Sequence, residues 1–249
     1  MKKFSLQGIY LLTVSMLFLS FNYPEGSGYC HKTGLTANDS FIAPVNTLAN
    51  TAPEAALYDS LQLDNLGLSE QAFSYAIKGY SKLKKDGKLK NDKVLTIIDF
   101  TQPSYKKRLF IIDISNFKLL FNTYVAHGQN TGKEYAKLFS NKPESHQSSL
   151  GFYVTSGTYS GSNGFSMYLK GMENGFNNRA SERAIVMHGA DYVSEQYIRS
   201  QGYIGRSHGC PAVPEKLNKP IIEKIKNGSC LFIYSDNKTY LQKSMLVNS

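Results

Sequence analysis

Three side chains in this sequence have the types and spacing to do chemistry together: His188, His208 and Cys210. They lie in one stretch, which reads Met187-His188-Gly189-Ala190, then a connecting run, then Arg206-Ser207-His208-Gly209-Cys210-Pro211. A thiol reacts as its thiolate, and an unperturbed cysteine titrates near ~8.5, so at neutral pH it needs a partner to take its proton. A histidine within hydrogen-bond reach is such a partner. His208 and Cys210 stand at i and i+2, which puts both side chains on one face of an extended segment. Gly209 between them lets the backbone turn sharply or approach a ligand closely. Gly209 and Cys210 offer two successive N–H groups, a donor pair suited to an oxyanion. His188 follows the apolar run Ala184-Ile185-Val186-Met187, so it is expected at the end of a buried strand, a rigid mount for a general base. The assignment is Cys210 as nucleophile, His188 as base and His208 as a residue that shapes the site.

Two other readings of the same residues are weaker. All three are zinc-type ligands. No fourth ligand is spaced with them, and the chain has no C-x-x-C or H-E-x-x-H pattern, so no metal and no cofactor are expected. An inert core position fits poorly, because polar Arg206, Ser207 and His208 flank the Gly-Cys-Pro turn.

The elements that must hold these residues are mainly β with flanking helices, arranged as a sandwich or barrel. Strands are expected over 94–100, 108–114, 118–125, 151–156, 166–171, 184–188 and 229–234, where β-branched and aromatic residues alternate with short turn signals. Ser69 caps a helix that runs to about Lys85. Its apolar face is Phe73, Ala76, Ile77, Tyr80 and Leu83, and Asp86-Gly87 stops it. A second helix is expected over 215–226, ended by Asn227-Gly228. His127 follows a strand and reads as a histidine satisfied by backbone. The run 129–149, which contains His146, is long enough to be a lid.

The amino terminus pairs Met1-Lys2-Lys3 with a short apolar run over 9–21, as a signal peptide or an uncleaved anchor does within 1–22. That run is shorter than the ~20 apolar residues of a comfortable span. Ser27-Gly28-Tyr29 before Cys30 lacks the leucine and small residue of a lipoprotein site. Residues 23–67 read as a linker with a short helix over 53–61, residues 68–240 as the catalytic domain and 241–249 as a tail. Export to the periplasm or cell envelope is the expectation. The net charge of +9 suits an anionic envelope, and no recognition motif points to nucleic acid. Of the three cysteines, Cys230 sits in an apolar strand and reads as an inert core thiol. Whether Cys30 pairs with it stays open.

His-Gly, a spacer and Ser-His-Gly-Cys together resemble the signature of the YkuD-type L,D-transpeptidase catalytic domain, in its murein L,D-transpeptidase branch. The likeness covers 68–235 and includes Asp99-Phe100-Thr101-Gln102-Pro103-Ser104, Lys107-Arg108-Leu109-Phe110, Val125-Ala126-His127-Gly128 and Ser149-Leu150-Gly151-Phe152-Tyr153. It implies Cys210 as nucleophile, His188 as catalytic histidine and the Gly189 carbonyl as the group that orients it. The implied substrate is a peptidoglycan stem peptide. Cys210 would attack the carbonyl of its third residue, D-alanine would leave, and an amine acceptor would resolve the thioester into a 3-3 cross-link. Water as acceptor would give an L,D-carboxypeptidase, and reversal an L,D-endopeptidase. Carbapenem-type inhibitors would acylate the same cysteine, and the protein is expected to be a monomer. Stem peptides carry carboxylates, which an arginine fork binds. Arg206 is the preferred residue for this, with Ser207 and Tyr203 beside it, and Arg183 is the other candidate. The sequence departs from the common pattern in its longer spacer and in Pro211-Ala212-Val213-Pro214, where an Arg or Asn often stands two residues after the cysteine. A reading from another class is a wall-binding protein with a decayed site, against which the intact His188-Gly189 and Ser207-His208-Gly209-Cys210 sets speak.

Overall fold

The computed structural model describes residues 52–249. The amino-terminal apolar run, Cys30 and His31 therefore lie outside the described residues. Eight strands form one sheet in the order β3-β2-β1-β8-β4-β5-β6-β7. At its centre β1 (Val94–Asp99) and β8 (Cys230–Tyr234) pair in parallel and are buried at every position, Cys230 included. A strand covered on both faces needs a nearly continuous apolar run, which only Thr96 and Asp99 interrupt in β1. β2 (Leu109–Asp113) and β3 (Lys118–Thr123) extend the sheet on one side, both antiparallel. On the other side come β4 (Gly151–Gly161), β5 (Gly164–Gly171) and β6 (Val186–Ala190), again antiparallel. The three-residue β7 (Ala212–Pro214) then pairs in parallel with β6. Past the end of β3, Ala126 bridges to Ala212 of β7, and Gly128 bridges to Ser207. The two edges of the sheet thus meet, and the architecture is a nearly closed barrel with a few helices.

Helices cover this sheet. In α2 (Glu70–Lys85) the Ser69 hydroxyl accepts the Ala72 N–H at 3.1 Å, and the buried face includes all five residues that the helical period picks out. The helix packs very closely. A Cβ added at Gly79 would lie 2.1 Å from the Phe152 ring, which itself stacks on Phe232 at 4.1 Å. α4 (Glu215–Ile225) lays Ile221, Ile222 and Ile225 into the same core. Each large apolar side chain buried this way stabilises by about 1.5–3 kcal/mol.

Several expectations are corrected. β6 begins at Val186 and runs to Ala190, so His188 is mid-strand. Ala184 falls in the preceding turn, with φ +51°. β7, α3 (Glu195–Gln201) and α5 (Lys238–Lys243) are too short for periodicity to reveal. The end of the presumed linker is part of the core: α1 (Ala52–Ser60) contributes Leu57 and Tyr58, and Leu63 is fully buried behind it. Residues 241–249 are not a tail either, since Ser244 and Val247 are buried. Their anchor is the carboxylate of Glu173. It accepts from Phe152 N–H at 2.7 Å, from Tyr240 Oη at 2.9 Å and from the Ser244 hydroxyl. Burial pushes this carboxyl up, and the three donors work against that shift.

Removing one donor from a buried carboxylate has a measurable cost. Tyr240→Phe should lower the unfolding free energy by about 1–3 kcal/mol, read by urea denaturation. An unchanged midpoint would mean that Glu173 does not hold the C-terminal segment.

Candidate active site

The parallel pairing of β6 and β7 sets the site. It places His188 opposite Ala212, and Cys210 two residues back along the same register, beside Val186. On the other side of β6, His188 faces Ser166 of β5. His188 is 5% exposed, and its Nδ1 lies 2.9 Å from Gly189 O. A carbonyl only accepts, so Nδ1 carries the hydrogen and Nε2 keeps its lone pair, the tautomer that a base needs. Gly189 also fits the helix behind it. A Cβ there would sit 3.0 Å from Asn218 Cβ and 3.2 Å from Glu215 Cα of α4.

Cys210 is half-buried. Its Sγ accepts the Val186 N–H at 3.5 Å and donates to Ala184 O at 3.8 Å. The His188 ring is not among its hydrogen-bond partners. Burial pushes the thiol up, while the Val186 N–H and the charge of Arg183 pull it down. The resting group is therefore a thiol.

The turn before Cys210 is closed by Ser207. Its hydroxyl donates to Cys210 O at 2.6 Å and accepts the Gly209 N–H at 3.0 Å. Ser207 is a buried brace of the turn, because hydroxyls readily bond backbone two or three residues on. The Gly209 N–H is already committed to Ser207, so it is not free for an oxyanion, and the Cys210 N–H has no partner among the described residues. Gly209 is required for another reason. Its φ is +123°, and a Cβ would lie 2.8 Å from Gln147 O. His208 is exposed, and its ring stacks on His146 with centroids 4.3 Å apart. His146 in turn meets Gln129 Nε2 at 2.8 Å. Sequence alone gave His146 no place in the site, since nothing along the chain marks a stacking partner 62 residues from His208.

The 129–149 run has no regular structure, and side chains from elsewhere satisfy its backbone. Arg206 Nη1 donates to Gln129 O and Gly132 O, both at 3.1 Å. One nitrogen of the Arg206 guanidinium is thus engaged by loop carbonyls. The guanidinium also lies 5.8 Å from the ring centre of half-buried Tyr203. Ser148 links the loop to the site, accepting from Gly128 N–H at 3.0 Å and donating to Gly209 O at 3.3 Å. His127 is fully buried. Its Nδ1 accepts from Arg108 Nη2 at 2.7 Å, so Nε2 carries the hydrogen and donates to Gly132 O at 3.2 Å. Arg108 is buried as well, bonded to Val125 O and Gln102 O, with Phe100 under its guanidinium. Burial lowers it to about 9. Burial, and then the Arg108 charge, holds His127 down to about 3. The backbone satisfaction expected of His127 is present, and Arg108 is the partner that sequence did not show.

No group of three or more His, Cys, Asp or Glu side chains among the described residues could hold a metal ion. No helix among them is long and apolar enough to cross a membrane.

Residues 64–234 match the family model described as the L,D-transpeptidase catalytic domain. The chain belongs to this family. A comparison with curated protein sequences returned no match. Among solved structures, an L,D-transpeptidase from Mycobacterium smegmatis is 12% identical, with 57% of this chain and 59% of that one covered and a TM-score of 0.35. The L,D-transpeptidase LdtMt1 in complex with imipenem is 14% identical, with the same coverages and TM-score. An L,D-transpeptidase from Stackebrandtia nassauensis is 16% identical, with 68% and 69% covered and a TM-score of 0.34. This chain spans 59% of the length of each of the first two.

Two measurements follow from this geometry. Gly209→Ala forces a side chain into a left-handed backbone position against Gln147 O, and should slow alkylation of Cys210 by iodoacetamide and lower the thermal midpoint. A variant that matches wild type in both would refute the tight turn. His127 is neutral in the fold and titrates near ~6.5 when unfolded. Stability should be full above that pH and fall as the pH drops toward about 3. The slope contributed by this one proton is at most about 1.4 kcal/mol per pH unit. His127→Gln should flatten the profile, checked by urea titrations at a series of pH values.

Proposed function

We propose that this protein is a cell-envelope cysteine acyltransferase acting on peptidoglycan stem peptides, with Cys210 as nucleophile. Membership in the L,D-transpeptidase catalytic-domain family supports peptidoglycan modification as the broad function. The observation that carries the finer reading is the His188 Nδ1 to Gly189 O hydrogen bond, on a strand whose register brings Cys210 alongside. In this reading the Cys210 proton passes to His188 Nε2. Sγ attacks the carbonyl of the third stem residue, and the Cys210 N–H supports the oxyanion. Collapse breaks the bond to D-alanine, whose amine takes the proton back from His188. The thioester then acylates an amine of a second stem, giving a 3-3 cross-link and regenerating the thiol. Water as acceptor would give L,D-carboxypeptidase activity from the same site. The basic charge and the amino-terminal apolar run support a place in the periplasm or envelope, by a cleaved signal or a retained anchor.

One observation favours a second reading, a non-catalytic wall-binding protein: the resting thiol bonds Ala184 O and not His188. Mass spectrometry decides between them. After exposure to a carbapenem, wild type should carry a drug-mass adduct and Cys210→Ala none. His188→Ala should slow acylation by roughly 10²–10⁴-fold. With a tetrapeptide stem and an amine acceptor, wild type should release D-alanine and form the joined product. Absence of both adduct and D-alanine release would overturn the enzyme in favour of wall binding.

A further inference from the structure

Arg183 stands in the turn before β6, outside the pair formed by His188 and Cys210. We propose that Arg183 is a positioning residue that locks the 140–149 segment onto the Cys210 turn and supplies the positive charge facing the Cys210 thiolate. This rests on the reading of Cys210 as nucleophile.

Its guanidinium gathers one stretch of loop. Nη1 donates to Ser140 O at 2.9 Å and to the Ser149 hydroxyl. Nη2 donates to Gln147 O at 2.6 Å and to Ser145 Oγ at 3.2 Å. These four acceptors belong to a run with no helix or strand of its own. The same nitrogen borders the cysteine turn: a Cβ on Gly209 would lie 3.3 Å from Nη2 and 2.8 Å from the Gln147 carbonyl that Nη2 holds. Arg183 is therefore the wedge between the loop and the residue before the nucleophile. Ser148, inside the same run, donates to Gly209 O from the other side.

The charge of this group is uncompensated. All four acceptors are neutral, and no carboxylate pairs with Arg183 among the described residues. Its Nε is buried without any partner. A half-buried cation held only by dipoles is costly, and it favours whatever negative charge forms beside it. The titratable groups whose charge it feels are the buried phenol of Tyr153, Cys210 and the like charge of Arg179. Tyr153 stays protonated, its phenol pushed up by burial and its hydroxyl donating to Ser149 O at 3.0 Å. The remaining group in Arg183's field that can turn negative is the Cys210 thiol. Tyr192, whose phenol also feels Cys210, is pushed up to about 12 by burial and stays neutral as well. Loss of the Cys210 proton to His188 would thus place a thiolate against a ready-made counter-charge.

The test is the pH dependence of iodoacetamide alkylation at Cys210, followed by mass spectrometry on wild type, Arg183→Lys and Arg183→Gln. Arg183→Gln should move the midpoint of the rate profile up by about one pH unit, which is tenfold in rate at a fixed pH below both midpoints. Arg183→Lys keeps the charge without the fork. It should hold its midpoint near that of wild type and increase amide hydrogen exchange over 140–149 as much as Arg183→Gln does. If the two variants share one midpoint with wild type while exchange rises in both, Arg183 is structural only and the charge role fails. If exchange is unchanged in both, the loop role fails. Alkylation needs no peptidoglycan, so a midpoint that moves in a protein releasing no D-alanine would overturn the function and leave the role of Arg183 standing.

Discussion

Everything at the site depends on a three-residue strand. β7 is too short to hold itself, yet its parallel register with β6 decides where Cys210 lies relative to His188. Two contacts fix it. Ala126, past the end of β3, donates its N–H to Ala212 O at 2.8 Å and so closes the sheet across its open edges. Behind the pair, α4 packs tightly against Gly189, where a Cβ would meet Asn218 Cβ at 3.0 Å. Barrel closure and this close approach together hold the register, and the register decides how Cys210 lies relative to His188.

Arginine does most of the remaining construction. Long irregular loops carry carbonyls that must find donors. Arg206 and Arg183 provide these for the two ends of the 129–149 run, while Arg108 provides them for Val125 and Gln102 from full burial. A guanidinium presents five donors in a rigid fork, which suits it to several carbonyls at once. The result is a loop held by Arg206, Arg183 and His127, with Ser148 and Gln147 pressed against the turn that ends in Cys210.

Buried charge is handled in three ways. Glu173 has three donors and anchors the C-terminal segment. Arg108 is bonded by carbonyls and by a histidine that burial, and then its own field, keep neutral. Arg183 is bonded by neutral acceptors only and sits beside the one thiol that the family motif singles out. The first two arrangements stabilise a structure. The third leaves an unpaired field where a reaction would generate the opposite charge.

The sequence by itself determined the family signature and most of the elements. His188-Gly189 and Ser207-His208-Gly209-Cys210 were legible as a family signature because each is a short motif of fixed local spacing. The helix after Ser69 and the central strands were legible because burial on one or two faces imposes a period on the chain. Tertiary structure alone decided which donors are free. The Gly209 N–H is committed to Ser207, and Arg206 Nη1 to two loop carbonyls, because hydrogen-bond satisfaction is settled by neighbours and not by residue type. It also decided that His146 stacks on His208, that Arg108 meets His127, and that residues 241–249 pack into the core. Each of these joins segments far apart in the chain, and a pattern of local period and composition carries no information about contacts that only the closed sheet creates.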